Sequence, residues 1–239
     1  VVSASVSGDT GAVFELPGGP IGFALGAEYR KEKSNFVPDA FLVQDALADL
    51  AAQFPESGSF DVKEAFAEIN IPVLRGMPFA DILQFGAAIR VSDYSTIGST
   101  TTWKVDGTWG PVRDIRFRGT YSEAVRAPNL TELFAPQNGT FSCIDDPCDP
   151  TNLAEGTSFR VANCNATLTA LGINPATFNP SQNPQATASL PGRTIGTPFL
   201  NEETAKTWTA GVVLRPSFIP GLVATFDWYD IKIANAITT

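Results

Sequence analysis

Residues 115–122 follow a strict two-residue alternation, the feature of this sequence that most constrains its fold. One face of the predicted strand carries apolar, aromatic or small residues, namely Ile115, Phe117, Gly119 and Tyr121. The other face carries two arginines and two hydroxyl residues, namely Arg116, Arg118, Thr120 and Ser122. Because successive side chains of a strand point to opposite sides of its sheet, the pattern predicts a sheet with one apolar and one polar surface. Such a sheet suits a boundary between two different solvents.

Seven further segments alternate similarly and are predicted as strands: about 11–16, 21–33, 60–74, 82–96, 101–109, 203–214 and 222–237. Most reach the roughly 9–11 residues that a tilted strand needs to cross a bilayer. A soluble antiparallel barrel or sandwich would alternate in the same way. The polar face favours a membrane barrel, because charged residues lie mid-strand among small ones: Glu64, Glu68, Arg90, Lys104, Asp106, Arg116 and Arg118. The predicted fold is all-β and antiparallel, with about eight strands, and the pattern alone leaves a transmembrane barrel and a soluble β protein as alternatives.

Short and long connections join these strands. Four connections are predicted as tight turns because they are short and rich in Gly and Pro: 17–20, 75–81, 110–113 and 215–221. Two connections are long, about 35–59, with a short helix expected near 39–53, and about 126–200. Barrels of the bacterial outer membrane have short periplasmic turns and longer outside loops. If the chain forms such a barrel, its long segments would face the outside of the cell.

Composition excludes several classes of function. The chain has 25 acidic and 16 basic residues, so its net charge of -9 argues against nucleic acid as a partner. Without histidine it contains no Ser-His-Asp triad and no His-ligated metal. A hydrolase with two carboxylates is the remaining enzymatic hypothesis, but Glu64 and Glu68 would lie about 13 Å apart along one strand, too far for an acid pair. We expect no enzyme, and we predict no catalytic residue, cofactor or metal site.

The strand over 115–125 leads into residues 126–134, Arg-Ala-Pro-Asn-Leu-Thr-Glu-Leu-Phe, which leave the strand at Pro128. Together, residues 116–134 resemble the signature R-G-x-Y-S-x-A-x-R-A-P-x-x-x-E-L-F in the barrel of TonB-dependent outer-membrane receptors. Other segments are similar to the same family and occur in its order: 26–30, 62–72, 201–211 and 227–233.

The resemblance implies a barrel of about 22 strands that encloses a globular plug. Residues 1–239 would form part of that barrel, as an antiparallel transmembrane β-barrel segment of about eight strands. No plug or TonB-contact segment is recognisable, and the N-terminus has no signal-peptide features, so we expect a piece of a longer protein. The implied function is import of a scarce solute (ferric siderophore, cobalamin or oligosaccharide) through a barrel set in outer-membrane lipid. Energy would come from the TonB–ExbB–ExbD complex through the plug. The alternative is a secreted or periplasmic soluble β-rich module that binds glycans.

Six residues are candidates for substrate contact: Arg126, Asn129 and Glu132 at the outer mouth, and Arg90, Arg116 and Arg118 on the polar face. The structural alternative for the first group is a strand end at Pro128 followed by a short helical turn packed on the barrel rim. For the second group it is a charge network against the plug. Aromatic residues of the strands are expected in interface girdles rather than in a ligand-stacking site: Tyr29, Trp103, Trp109, Trp208, Phe226 and Trp228.

The three cysteines all lie in the segment 126–200, and a disulfide there is more plausible than a zinc site that lacks histidine. The family resemblance favours a Cys148–Cys164 bridge, which leaves Cys143 over; a Cys143–Cys164 bridge is the alternative. The acidic residues within 145–149 could bind calcium, but the ordered spacing of a calcium loop is absent, and a solvated loop is the preferred interpretation.

Overall fold

The computed structural model of the chain describes residues 1–47, 50–142, 145–180 and 189–238. Its strands are β1 (Val2–Asp9), β2 (Glu15–Leu16), β3 (Gly19–Pro20), β4 (Gly22–Phe36), β5 (Glu56–Met77), β6 (Ala80–Tyr94), β7 (Gly98–Val112), β8 (Ile115–Arg126), β9 (Asn138–Ser142), β10 (Leu190–Thr194), β11 (Glu203–Leu214) and β12 (Ala224–Ala234). Eight of them form one sheet in the order β1-β4-β5-β6-β7-β8-β11-β12. The strand pairs whose register is described are antiparallel.

The register places the predicted apolar residues of neighbouring strands on one face. Phe117 is opposite Trp109 on one side and Val212 on the other, and Val212 is in turn opposite Phe226. The residues between them form the polar face, where Thr108, Arg118 and Gly211 lie in another row. The alternation read from single segments therefore holds along these rows, and bulges interrupt it between Pro72 and Leu74 and between Trp109 and Val112.

The chain divides into two compact units. The first comprises Val1–Asn35, Ser57–Phe134 and Thr197–Thr239 and holds the eight-stranded sheet and helix α2 (Leu130–Phe134). The second comprises Phe36–Glu56 and Ala135–Gly196. It contains helices α1 (Ala40–Val43) and α3 (Arg160–Ala170), the two-stranded sheet of β9 and β10, and short 3-10 turns at Leu153–Glu155 and Pro175–Thr177. In the described part of the chain, no helix is both long and apolar enough to span a membrane.

Two sequence predictions of secondary structure were wrong. The first strand is Val2–Asp9 and not 11–16, because Thr10 begins a turn in which its carbonyl accepts hydrogen bonds from the N–H groups of Val13 and Phe14. The segment 126–200 was predicted to be irregular, but it contains β9, β10 and the eleven-residue helix α3. The short helix expected near 39–53 is present as α1, which begins after Asp39.

Buried side chains are concentrated at the end of the sheet where β8 leads into α2. Val62 is 0% exposed, Leu133 is 1% exposed, and Pro128 is also fully buried. Large apolar residues of the sheet's apolar face are instead exposed, among them Phe85, Trp109, Trp208 and Phe226. An apolar face that the described residues leave uncovered fits contact with a non-aqueous phase better than the closed core of a soluble sandwich.

Candidate functional site

The residues that follow β8 form a capped helical turn at the end of the strand. Pro128 ends the pairing of β8, and Asn129 precedes α2. Asn129 Oδ1 accepts a hydrogen bond from the Glu132 N–H, and Glu132 Oε2 accepts one from the Asn129 N–H, both at 2.8 Å. This reciprocal pair is a capping box, which satisfies two backbone donors at the start of a helix. It explains why the Asn-Leu-Thr-Glu sequence turns here.

Arg126 connects this turn to a second strand. Its Nη1 lies 3.1 Å from both carboxylate oxygens of Glu132, and its Nε donates to Glu203 Oε2 at 2.6 Å. Glu203 Oε1 accepts a further hydrogen bond from the Ile237 N–H at 2.5 Å, just beyond β12. One guanidinium thus joins β8, α2 and the start of β11, with the bidentate geometry that favours Arg over Lys. We call Arg126, Asn129, Glu132 and Glu203 the rim network.

The rim network changes the acidity of Glu132, which lies on α2, outside the strands of the sheet. Partial burial of this carboxyl raises its pKa, but hydrogen bonds from Arg126 and from the Asn129 N–H act in the opposite direction and outweigh burial. The net pKa of Glu132 lies below its ordinary value. The carboxylate is therefore the form that the network stabilises.

Packing holds α2 against the sheet. A Cβ atom on Gly58 of β5 would collide with the ring of Phe134, so the ring approaches the bare backbone of the strand. The Glu132 carbonyl also accepts a hydrogen bond of 2.9 Å from the Thr197 N–H, which lies shortly before β11. The helical turn predicted after Pro128 is present, and its position rests on contacts that sequence spacing does not reveal.

A second cluster on the polar face surrounds Glu64, which is nearly buried. Glu64 Oε1 accepts a hydrogen bond of 2.6 Å from Ser92 Oγ, and its Oε2 lies 3.4 Å from Arg90 Nη1. The Arg90 guanidinium also lies 5.1 Å from the centre of the Phe66 ring, within the range of a cation–π contact. Arg90 is thus held by one carboxylate and one aromatic ring.

Arg118 pairs with a residue two strands away. Its Nη2 donates to Asp227 Oδ1 and Oδ2 at 2.8 and 2.7 Å, and its Nε donates to Oδ1 at 3.0 Å. Gly211 of β11 lies between the two strands and opposite both residues. Arg116 is exposed, and among the described residues no ion pair involves it.

The six candidate residues do not form a single cluster. The structure brings Arg126, Asn129 and Glu132 together, whereas in the described part of the chain no hydrogen bond or ion pair links them to Arg90, Arg116 or Arg118. Their contact with a substrate remains a prediction. Sequence reasoning missed Glu203 and Asp227, which lie 77 and 109 residues from their arginine partners. Only the strand register could have revealed them.

The disulfide favoured by the family resemblance is present between Cys148 and Cys164, with Cα atoms 5.4 Å apart. It attaches α3 to the preceding turn. Cys143 lies outside the described residues. The acidic residues beside the bridge make local contacts: Asp146 Oδ1 accepts the Cys148 N–H, and Asp149 Oδ1 accepts the Thr151 N–H, both at 2.8 Å. No group of described residues is arranged to hold a metal ion.

Aromatic residues on the apolar face contact one another across strands. Tyr121 lies between Trp103 and Trp208, with ring centres 5.2 and 4.4 Å away. Nearer the tight turns, Trp109 stacks on Phe117 at 5.6 Å. The two groups of rings are four residues apart on β8, about 13 Å at the usual strand rise, so they lie at neighbouring levels of the apolar face and not at the two surfaces of a bilayer. The interface girdles expected from the sequence stay a prediction.

Similarity to solved structures supports the same architecture. The chain resembles the ferric enterobactin receptor PfeA of Pseudomonas aeruginosa, solved as a mutant with enterobactin, at 16% identity and a TM-score of 0.58 over 97% of this chain and 26% of that one. It also resembles the siderophore receptor PirA of Acinetobacter baumannii, at 15% identity and a TM-score of 0.53 over 95% of this chain and 26% of that one. PirA of P. aeruginosa is similar at 16% identity and a TM-score of 0.56 over 95% of this chain and 30% of that one. The chain therefore spans about a quarter to a third of these proteins. No curated protein matches it.

A family model assigns the sequence. The model described as "TonB dependent receptor-like, beta-barrel" matches residues 3–239, nearly the whole chain. The eight-stranded antiparallel sheet agrees with a segment of such a barrel. This chain therefore belongs to the TonB-dependent receptor family, as part of the β-barrel that these proteins place in the bacterial outer membrane.

Proposed function

We propose that the protein containing this chain is an active-transport receptor that binds a scarce solute outside the cell and imports it into the periplasm. The observation that carries the proposal is the match of residues 3–239 to the receptor barrel model. The family consists of transport receptors rather than enzymes. Energy for import would come from the TonB–ExbB–ExbD complex, which would act through a plug enclosed by the complete barrel.

We further propose an iron–siderophore chelate as the solute. The similar solved structures are named as a ferric enterobactin receptor and as siderophore receptors. Their identity to this chain, near 16%, supports the fold alone, so the substrate is our inference. Cobalamin and oligosaccharides are the other solutes to test.

In this proposal the six candidate residues have different roles. Arg126, Asn129 and Glu132 hydrogen-bond within the rim network, so they would shape the mouth of the barrel and contact a solute only secondarily. Arg90 and Arg118 are likewise held by carboxylates. Arg116 is the candidate whose guanidinium stays available on the polar face, and we propose it as the cation that meets a solute or the plug.

The alternative, a soluble glycan-binding module, is less well supported. It would need its apolar face packed in a core, but Phe226 is 64% exposed and Trp208 is 53% exposed. Both residues lie on the apolar face, which in this proposal contacts outer-membrane lipid.

Uptake by cells tests the proposal. The full-length protein would be expressed in a Gram-negative strain that lacks its own siderophore receptors, and uptake of radiolabelled iron would be measured with chelates of several classes. We expect accumulation of at least one chelate that disappears when TonB is deleted. Binding without TonB-dependent uptake, or uptake of cobalamin or oligosaccharide only, would contradict the siderophore proposal. The Arg116→Gln variant, with Arg113→Gln as the control, tests the role of Arg116.

A further inference from the structure

The two long connections of the sheet fold into one compact unit, although they lie far apart in the sequence. Phe36–Glu56 leads from β4 to β5, and Ala135–Gly196 lies in the connection from α2 to β11. In the order of the sheet, β6 and β7 stand between β5 and β8, the strands nearest to the two connections. The two segments are therefore not neighbours along the sheet, and their association depends on specific contacts. We call them the loop pair.

The two segments of the loop pair meet at the start of β9. The Gly139 N–H donates a hydrogen bond of 2.9 Å to the Ala52 carbonyl, and Asn138 Oδ1 accepts one of 2.9 Å from the Phe54 N–H. Gly139 is also opposite Arg193 in the register of β9 and β10. The strand β9 thus pairs with β10 on one side and contacts residues 52–54 on the other. These contacts occupy polar groups that an edge strand would otherwise leave unpaired.

Gly139 allows the close approach of the two segments. A Cβ atom at this position would lie 3.1 Å from Ala51 Cβ and 3.3 Å from the backbone nitrogen of Ala52, both closer than ordinary van der Waals contact. The backbone of Gly139 does not have a positive φ, so its conformation does not require glycine. The space between the segments does, because a strand glycine commonly marks a place where another backbone comes close.

Each segment of the loop pair is also held together internally. In Phe36–Glu56, the Gln53 N–H donates a hydrogen bond of 3.3 Å to the Leu42 carbonyl of α1. In Ala135–Gly196, β10 pairs with β9, and the Gly196 N–H donates a hydrogen bond of 2.9 Å to the Ala135 carbonyl where the segment closes. A displacement at the contact can therefore reach α1 on one side and β10 on the other.

We propose that the loop pair opens and closes as a single cooperative body and that Gly139 is the point at which its two segments are coupled. Release of either segment would then release the other. Parts of a protein that open cooperatively share one opening free energy, so their amides exchange with solvent together. A solute that contacts one segment would change the mobility of both. That consequence rests on the proposed function, whereas the coupling itself does not.

Hydrogen exchange on the full-length protein in detergent tests the coupling without any solute. Gly139→Val places a residue suited to strands in β9, so β9 can still pair with β10, but the branched side chain does not fit against Ala51. The matched control is Gly192→Val in β10. A Cβ atom at Gly192 would have the side chain of Thr140 as its nearest neighbour, 3.3 Å away. Heat-modifiable gel mobility would establish that both variants fold.

The informative amides are those of Gln44 and Gln53, which donate hydrogen bonds to carbonyls of α1 within Phe36–Glu56. We expect Gly139→Val to accelerate their exchange several-fold and Gly192→Val to leave it nearly unchanged. Faster exchange confined to Phe54 and position 139, with Gln44 and Gln53 unchanged, would mean that only a local contact was lost and would overturn the proposal.

A cross-link tests the contact itself in intact cells. Ala51→Cys combined with Gly139→Cys, in a Cys143→Ser background that keeps the native disulfide, brings two Cβ atoms within a small shift of the roughly 3.8 Å that a disulfide requires. Ala51→Cys combined with Gly192→Cys is the control pair. We expect the first pair to form a disulfide at least several-fold faster than the control pair. Equal rates, or no bond between positions 51 and 139, would overturn the proposal.

Discussion

Arg118 and Asp227 form a bidentate ion pair that spans the strand between them and passes directly over Gly211. A Cβ atom at Gly211 would collide with Asp227 Oδ1 and would lie 3.1 Å from Arg118 Nε. The pair therefore depends on the absence of a side chain at that position. Three strands are joined on the polar face by two charged residues and one glycine.

The first prediction concerns that glycine. Gly211→Ala should displace Asp227 and lower the thermal stability of the full-length receptor, because overpacking a tight contact typically costs about 1–3 kcal/mol. The control is Gly119→Ala, whose Cβ would lie 3.7 Å from the nearest atom, the Thr209 carbonyl oxygen. Melting temperatures in detergent provide the comparison, and equal losses in the two variants would contradict the role assigned to Gly211.

The second prediction concerns Arg126. Arg126→Lys keeps the positive charge, but a lysine ammonium lacks the planar set of donors with which the guanidinium binds Glu132 and Glu203 together. The hydrogen bonds that join the rim network should therefore be lost. We expect protease to cleave residues 135–196 several-fold faster on intact cells. Arg113→Lys is the matched control, since the Arg113 side chain is 90% exposed and its Nε lies 3.6 Å from Asp81 Oδ1. Equal cleavage rates in the two variants would show that the rim network does not hold the start of the long loop.

The third prediction is a pH dependence. The pKa of the Glu132 carboxyl is lowered in the folded chain. The stabilisation that this carboxylate gives to the folded state is therefore complete above the ordinary glutamate pKa of about 4.3. It is lost as the pH falls through the folded-state pKa. Hydrogen exchange of the α2 amides should therefore be slow from pH 7 to about pH 5, once corrected for the intrinsic exchange rate. Protection should decrease only at more acidic pH. The Glu132→Gln variant should show weaker protection without this acid transition; a transition near neutral pH in the parent would contradict the assignment.

The fourth prediction concerns the disulfide. Cys148 and Cys164 are 16 residues apart, and a bridge over such a loop stabilises by about 3 kcal/mol in the chain-entropy model. Cys148→Ser and Cys164→Ser should each accelerate proteolysis of residues 145–180 to the same extent, and reductant should do so in the parent. Cys143→Ser should leave the proteolysis rate unchanged. Unequal effects of Cys148→Ser and Cys164→Ser would argue for a pairing that involves Cys143.

Strands were the part of the fold that the sequence predicted best. The predicted segment 203–214 coincides with β11, because a period of two residues and flanking turn residues mark its limits. The failure at β1 has a physical cause: Val-Ser-Ala-Ser-Val-Ser alternates, but its side chains are small, and the alternation is weak. Helix α3 escaped prediction because it has no side-chain N-cap and little amphipathic pattern. Its Cys164 instead attaches it to the rest of the loop through the disulfide.

The candidate site was predictable only where it is local. The Asn129–Glu132 capping box follows from a three-residue spacing, and the helical turn after Pro128 follows from the proline. Glu203 and Asp227 depend on which strands become neighbours and in what register. The pairing of distant strands is not visible in any one segment of the sequence. The acidic partners of Arg126 and Arg118 were therefore not predicted, although both arginines were.

The membrane barrel is tested most directly by locating the full-length protein in cell fractions and by treating intact cells with protease. We expect recovery in the outer-membrane fraction and cleavage within residues 138–191, with the tight turns protected. A protein recovered in the soluble fraction and resistant to protease would contradict it, because the apolar face would then have to be buried in a closed core.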